Sequence, residues 1–478
     1  MPEGFNLKEN CGLCVAHSLH DIYSFIKSLQ HRGREATGIA FIGNKRIDVI
    51  KWVGKVEMFD LEDLYKIFNI NEYHTFFAHV RYATRGRKDK ILEDAHPHTI
   101  GGIEERRGGH TIIRDCDLVG VHNGQINPEF FSKIDKTQLK TGCDTEALLH
   151  YFKDNGERGI LKNIPGSYTL AIASKDRKDV IILRDRFGLK PGILGWKDGK
   201  YCMASEDCFF REKGVSYKKD IDPGCVYYFS PEGDYTKEEV ITSTPKYCFF
   251  EYNYVSSVDS IINGVPVRKV REFLGEELAK EFKIDADLVT FLPRCPEFAA
   301  MAYSQKTKIP FAHVFYKPRG ERAFLGSTPE ERKTSIQDNL YLIPETFDTS
   351  SKTFLKDKTI ILIDDSTIRG NNSKRAIEVL KNAGVKKIYL LNYTPKIGLI
   401  GEDGIKRGCL YGVDMPPEDN FVVRDSVQER NREDSEISEQ IGAEVHFLSV
   451  NGMFNAFEKA GLPRDHFCSF CIGGEKII

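Results

Sequence analysis

Residues 358–393 read KTIILIDDSTIRGNNSKRAIEVLKNAGVKKIYLLNY. An apolar run from Thr359 to Ile363 ends in Asp364 and Asp365, a polar loop follows, then a helical pattern, Gly384 and a second apolar run. Strand, loop, helix, turn and strand make a βαβ unit, which predicts a parallel sheet with helices on its faces. In such sheets ligands bind outside the carboxyl ends of the strands, so the loop from Asp364 to Ser373 stands in the binding position. A helix starting near Ser373 aims unpaired backbone N–H groups at an anion, and Gly370 lets the backbone come close. Two adjacent carboxylates suit the vicinal hydroxyls of a ribose and a hydrated Mg²⁺. A plain strand-to-helix turn with Asp and Ser as caps uses the same residue types, so the two readings stand level on chemistry alone.

The rest of the chain sets the frame. Its 478 residues suffice for two large or about three average domains. Lys plus Arg number 68 against 70 acids, a net charge of −2 that argues against nucleic acid as a partner. No apolar run approaches the ~20 residues of a membrane span, and the polar opening MPEGFNLKEN is unlike a secretory signal, so a soluble cytoplasmic protein is expected. With 31 Phe and 20 Tyr the chain has ample material for packed cores. Twelve Cys are too few for a disulfide scaffold and point instead to buried thiols, metal ligands or catalysis.

Residues 11–240 read as β-rich, with short apolar runs (TFFAHV, DLVGVH, SYTLAIAS, DVIILRD) and helical patterns over 22–30 and after Asp144. Residues 229–247 look like a linker, placing a boundary near 245. Beyond it, residues 268–282 set Val270, Phe273, Leu274 and Leu278 on one helical face, followed by strand-like LVTFLP and a helical stretch over 297–306. There is no internal repeat.

The string of an apolar strand followed by DDSTIRGNNS resembles the phosphoribosylpyrophosphate (PRPP) loop of type I phosphoribosyltransferases. The resemblance implies that Asp364 and Asp365 bind ribose hydroxyls, with Mg²⁺ held there directly or through water. Ser366, Arg369, Gly370 and Ser373 would line the 5-phosphate loop. Asn371 and Asn372 stand where that family usually carries two threonines.

Near the start, Cys11 lies in ENCGLCVAHS, and downstream come QHRGREATGI, AHVRYATRG, VHNGQI and CDTEA. These strings together supply an Arg to clamp a carboxylate, an acid to hold an ammonium, and an Asn-Gly pair for an oxyanion. Their order and spacing resemble the class II glutamine amidotransferase domain, an N-terminal-nucleophile hydrolase with a four-layer αββα fold. By that resemblance Cys11 attacks the glutamine amide, with its own α-amino group as base once residues 1–10 are removed as a propeptide. Arg81 and Thr84 would bind the glutamine carboxylate, Asp144 its ammonium, and Asn123 with Gly124 the oxyanion.

A glutaminase domain (11–245) before an α/β phosphoribosyltransferase domain (246–478) resembles the amidophosphoribosyltransferase family. Other strings that carry the likeness are IPGSYTLAIAS, LRDRFGLKPGILG, ASED at 204–207 and YGVDMP at 411–416. The activity implied is glycosyl transfer: PRPP, glutamine and water give 5-phosphoribosylamine, glutamate and pyrophosphate, the first step of purine biosynthesis. Residues 322–336 resemble that family's lid, with Arg332 and Lys333 facing pyrophosphate. Cys248, Cys409, Cys468 and Cys471 fall where some members ligate a [4Fe–4S] cluster; zinc, a redox pair or no site at all are the other readings of CSFC at 468–471. The family implies a homodimer or homotetramer and purine nucleotides as feedback inhibitors. Departures gather in the second half: Pro293-Arg294-Cys295-Pro296 stands for the pyrophosphate loop, Ser257-Val258 for Arg-Pro, and Ala323 for a Thr. A glutamine hydrolase, or a phosphosugar or nucleotide sensor that no longer turns over PRPP, is the competing reading.

Overall fold

The structure, a computed structural model, describes residues 11–82, 90–127, 130, 139–316, 340–343 and 354–478. Residues 1–10, Thr84, Ala323, Arg332 and Lys333 lie outside the described residues.

Thirteen strands of the first half join into one antiparallel sheet. They are β1 (Gly12–Ala16), β2 (Ala36–Ile42), β3 (Ile47–Val53), β4 (Thr75–Arg81), β5 (His98–Arg107), β6 (His110–Ile126), β7 (Gly166–Ser174), β8 (Val180–Arg184), β9 (Ile193–Lys197), β10 (Lys200–Ala204), β11 (Ser216–Asp220), β12 (Cys225–Phe229) and β13 (Tyr235–Glu239). Their order is β11-β9-β10-β1-β4-β2-β3-β6-β7-β8-β12-β13, with β5 on β6. The sheet doubles over at β6, whose first residues pair with β3 (Ile112 with Ile50) and whose last pair with β7 (Gly124 with Tyr168).

The period-two alternation of a strand explains the layers. Leu13, Val15, Ala40, Phe77, Val121, Ala171 and Ile182 all point into the core between the two sheet layers. Their neighbours Cys14, Ile39, Phe41 and Ala78 face α1 (Leu19–Ser28) and α2 (Leu61–Ile67). On the far side Leu170, Ile172, Ile181 and Leu183 face α3 (Asp144–Asn163). Helix, sheet, sheet and helix is the four-layer αββα arrangement. The α1 helix starts where Ser18 Oγ accepts the Asp21 N–H at 3.1 Å.

The expected linker is only partly one. Residues 235–239 form β13, paired with β12 through Phe229 and Tyr235, whose rings stack. The strand reads as linker because it is a solvated sheet edge, YTKEE, with little apolar alternation.

In the second half β14 (Leu288–Phe291), β15 (Thr359–Asp364), β16 (Lys387–Asn392) and β17 (Glu444–Phe447) lie parallel in that order. Around them pack α4 (Val267–Glu281), α5 (Glu297–Thr307), α6 (Asn371–Asn382), α7 (Asp434–Ile441) and α8 (Val450–Lys459). Val270, Leu274 and Leu278 of α4 are fully buried, each contributing roughly 1.5–3 kcal/mol. Phe273 departs from expectation: it is only partly buried, beneath the ammonium of Lys459 at 4.2 Å. Gly275 lets α4 and α5 approach, since a Cβ there would stand 2.0 Å from the Ala299 carbonyl oxygen. The α6 helix begins at Asn371, two residues before Ser373, because Gly370 at φ 78° takes the cap position.

The halves meet across a buried polar joint. Arg32, 1% exposed, gives two hydrogen bonds to Glu251 (3.0 and 3.1 Å) and one to Glu206 (2.5 Å). Its Nε also donates to the Cys11 carbonyl at 3.1 Å. The other Glu206 oxygen accepts from Ser257 N–H and Ser260 Oγ, both at 2.7 Å. Burial opposes the charge on Glu206, but His31 and Arg32 hold its carboxyl far below the usual range.

Arg32→Ala strands two buried carboxylates and is expected to cost about 3–5 kcal/mol in chemical denaturation. Lys27→Ala, which removes the half-exposed pair with Glu57 at 3.4 Å, should cost below about 1 kcal/mol. Equal effects would contradict the assignment of the joint.

Candidate functional site

Cys11 is fully buried immediately before β1. Gly12 pairs with Val80, so one step further the register sets Cys11 beside Arg81 at the end of β4. Arg81 is 2% exposed, with Glu35 at 3.5 Å and Asp94 at 3.6 Å. Burial, together with Asp94, raises the Glu35 carboxyl against the pull of Arg81. His79, two residues before Arg81, meets the His122 carbonyl at 3.0 Å, which ties β4 to β6 directly before Asn123.

Asn123 is 0% exposed, and neither its amide nitrogen nor its oxygen has a hydrogen-bond partner among the described residues. A buried amide donor left open is what a developing oxyanion needs, and it is costly otherwise. Gly124 has φ 148°, and a Cβ there would sit 1.9 Å from the Ser167 carbonyl oxygen, so only glycine fits. Asp144, the first residue of α3, is 2% exposed and accepts the Ile126 N–H at 3.2 Å, which fixes it to the strand of Asn123 and Gly124. The structure therefore gathers Arg81, Asn123, Gly124 and Asp144, with Cys11 on the strand beside Arg81. Thr84 falls outside the described residues.

Beneath these residues is a cluster that sequence reasoning passed over: His79, His96, His98, His122, Cys143 and Thr145, all buried. His96 Nε2 meets Thr145 Oγ1 at 2.7 Å, which meets His122 Nδ1 at 3.3 Å. Burial keeps His79, His96 and His98 neutral, His79 at about 3. The visible signal was HPH at 96–98 and a Cys directly before Asp144.

In the second half Asp364 and Asp365 close β15 at 4% and 8% exposure. Burial, then repulsion from Asp365, pushes Asp364 well up; burial pushes Asp365 up to about 6. Ser366 Oγ donates to Asp365 at 2.7 Å and Ser373 Oγ to Asp364 at 3.2 Å. Two buried acids carrying such a charge penalty fit a cation nearby. Gly370 sits at φ 78°, and a Cβ there would press on the tip of the Ile441 side chain at 2.5 Å. Arg369 is engaged by Asp419 and donates to the Asp414 carbonyl at 3.3 Å. The divergent loop 293–296 follows β14 alongside, where Leu292 N–H donates to the Ile363 carbonyl at 2.9 Å.

Cys248, Cys409, Cys468 and Cys471 all line one small apolar cavity. Cys248 and Cys468 are directly paired on two short parallel strands. The N–H groups of Tyr411 and Val413 both donate to Cys409 Sγ at 3.3 Å. Burial, then the neighbouring Cys409, pushes the Cys248 thiol up to about 12. Among the described residues, ligand groups gathered within 4.8 Å of one another are His96–His98–Cys143 and His31–Glu206–Cys208, so the four thiols are more widely set. A zinc ion with ~2.3 Å bonds needs sulfurs about 3.8 Å apart, whereas a cluster spans more.

A carboxyl with a raised folded pKa keeps its proton where the unfolded chain has lost it. Stability is thus lost as pH rises from about 4 to about 6 at Asp365. Asp365→Asn is expected to be more stable than the parent at pH 8, by up to about 3 kcal/mol, with the gap shrinking toward pH 4.5 in thermal melts. A gap that grows on acidification would contradict this electrostatic account.

Residues 99–212 match a family described as a glutamine amidotransferase domain. The amidophosphoribosyltransferase of Methanocaldococcus jannaschii is 29% identical, over 95% of this chain and 93% of its own. That of Bacillus subtilis is 28% identical over 97% and 92%. A solved glutamine PRPP amidotransferase from B. subtilis, complexed with ADP and GMP, superposes with TM-score 0.77 at 25% identity, covering 98% of this chain and 97% of that one. A second solved structure, an allosteric regulatory enzyme of purine biosynthesis, gives TM-score 0.78 at 25% identity. No helix among the described residues is long and apolar enough to cross a membrane. The αββα half thus has the N-terminal-nucleophile fold and the parallel half the type I phosphoribosyltransferase fold, and over nearly all of the 478 residues the chain is similar in sequence and architecture to amidophosphoribosyltransferases.

Proposed function

We propose that the chain is a glutamine-dependent amidophosphoribosyltransferase, with residues 11–245 as glutaminase and 246–478 as transferase. The observation that carries the reading is the pairing of two sites in one chain: the open amide of Asn123 beside glycine-only Gly124, and the buried acids Asp364 and Asp365 at the end of β15.

Cys11 Sγ attacks the glutamine amide carbon while Arg81 and Thr84 hold the α-carboxylate and Asp144 the α-ammonium. Asn123 Nδ2 and the Gly124 N–H receive the oxyanion. With residues 1–10 removed, the Cys11 α-amine takes the thiol proton and returns it to the leaving ammonia. Water then cleaves the thioester to give glutamate. In the second half the hydroxyls of the ribose lie on Asp364 and Asp365, and its 5-phosphate on Ser366, Gly370 and Ser373 with the N-terminus of α6. Ammonia bonds to the sugar C1 as the C1–oxygen bond breaks and pyrophosphate departs, with Arg332 and Lys333 as its counter-charges. Mg²⁺ at Asp364 and Asp365, through water, would neutralise charge on the departing pyrophosphate. Arg369, whose guanidinium pairs with Asp419, is a further PRPP-binding residue of that loop in this reading.

The four cysteines fit a [4Fe–4S] cluster that ties residue 248 at the joint to the C-terminal segment. Purine nucleotides as feedback inhibitors are a further part of this reading, supported by the ADP and GMP of the solved relative, and a homo-oligomeric state is another, taken from the resemblance alone.

Cys11→Ser should lose glutamine-dependent phosphoribosylamine formation by at least about a thousandfold and keep the ammonia-dependent reaction. Loss of neither, or of both equally, would defeat the assignment of Cys11. Anaerobically purified protein should carry about four iron atoms per chain, and Cys409→Ser almost none. Iron-free native protein with bound zinc at these thiols would replace the cluster by zinc.

A further inference from the structure

Three of the side chains beneath the glutaminase site form a donor set of their own. His96, in the loop leading into β5, His98, its first residue, and Cys143, the residue before α3, are 1%, 3% and 0% exposed. One ligand atom from each lies within 4.8 Å of the other two. Cys143 Sγ stands 3.9 Å from His96 Nε2, and the two imidazoles cross at 90° with centroids 4.7 Å apart. The imidazole nitrogen that faces the thiol is thus His96 Nε2, which also meets Thr145 Oγ1 at 2.7 Å.

We infer that His96, His98 and Cys143 form a binding site for a single borderline-soft divalent cation, zinc above all, distinct from the four-cysteine cavity and from Asp364–Asp365.

Neutral imidazole and thiolate are both zinc ligands, and the fourth place is left to water or to Thr145 Oγ1, which already touches His96. Burial holds both histidines in the neutral form that ligates. Binding is written as Zn²⁺ plus the Cys143 thiol giving a Zn–S bond and a released proton. Charges of both signs surround it: Arg81 pairs with Asp94 at 3.6 Å, the Cys143 thiol faces Asp144 Oδ1 at 3.7 Å, and the Lys51 ammonium donates to the Ala95 carbonyl at 2.9 Å. The second donor group, His31–Glu206–Cys208, is a poor cation site, because the Arg32 guanidinium already occupies Glu206.

The site's place suggests its use. Cys143 directly precedes Asp144, and His98 Nε2 meets the carbonyl of Asp94, whose carboxylate faces Arg81. A metal here would staple the α3 start to the β5 start and so hold the two charged groups that face the glutamine pocket. This is a structural ion, removed from the reacting atoms, and its existence does not depend on whether the chain uses glutamine.

The test measures zinc and iron in the full-length protein, as purified and after exposure to equimolar Zn²⁺ and desalting. Zinc-edge X-ray absorption then reads the donor shell. About one zinc per chain is expected, with a shell of two nitrogens, one sulfur and one light atom. Cys143→Ser and His98→Phe should lower bound zinc at least tenfold, while Cys409→Ser keeps it. An all-sulfur shell would place the zinc in the four-cysteine cavity and overturn the inference, as would folded parent protein that takes up no zinc. Because the shell is read on the parent protein, the outcome stands even if a variant fails to fold.

Discussion

The guanidinium of Arg32, buried between Glu206 and Glu251, is the constraint on which the rest of the molecule depends. Glu206 belongs to the first half and Glu251 to the second, so one cation satisfies a carboxylate from each. Without it Glu206 would keep His31, Ser257 and Ser260, and Glu251 the Ser256 hydroxyl, which leaves buried carboxylate charge short of a guanidinium at a cost of about 3–5 kcal/mol. The same side chain donates to the Cys11 carbonyl, so the arrangement of the halves reaches the residue expected to carry out the first reaction. The Ser257 N–H and the Ser260 hydroxyl bind the other Glu206 oxygen. A second tie runs from Ser167 Oγ to the Tyr411 carbonyl at 2.8 Å, linking the strand that backs Gly124 to the segment that carries Cys409.

Each half then solves its own electrostatic problem differently. Around the first site, burial strips charge from His79, His96 and His98, while Arg81 and Asp144 stay buried beside them. Around the second, burial leaves two acids side by side at a strand end, where the chain holds them at an electrostatic cost. Such local penalties are retained at binding sites because the ligand removes them. Ammonia passing from one to the other would be lost to water if the halves were loosely joined, which gives the buried joint a chemical purpose.

Much of this was legible in the sequence because its signals are local. The run TIILIDD followed by a Gly-containing loop and an amphipathic helix has one reading as a βαβ unit, and β15, α6 and β16 follow it within two residues. The helix start moved to Asn371 because Gly370, not Ser373, takes the cap, a choice set by the left-handed backbone there. β13 was missed because an edge strand keeps its polar face to solvent. Arg32 was invisible for another reason: its partners lie 174 and 219 residues away, and QHRGRE looks like a solvated charge run until the fold brings Glu206 and Glu251 to it. The histidine cluster likewise comes from four separate segments, so no spacing rule finds it. Arg81, Asn123 and Asp144 came from resemblance in string order, and the fold brings them to one place.

The account stands or falls on whether the two sites act as one enzyme. The most direct measurement is the molar ratio of glutamate to pyrophosphate released from glutamine and Mg²⁺, with PRPP present and absent, by protein starting at Cys11. The account predicts that both products appear together in a ratio near one and that glutamate release rises sharply when PRPP is added. Glutamate released at the same rate without PRPP, and with no pyrophosphate in its presence, would contradict it.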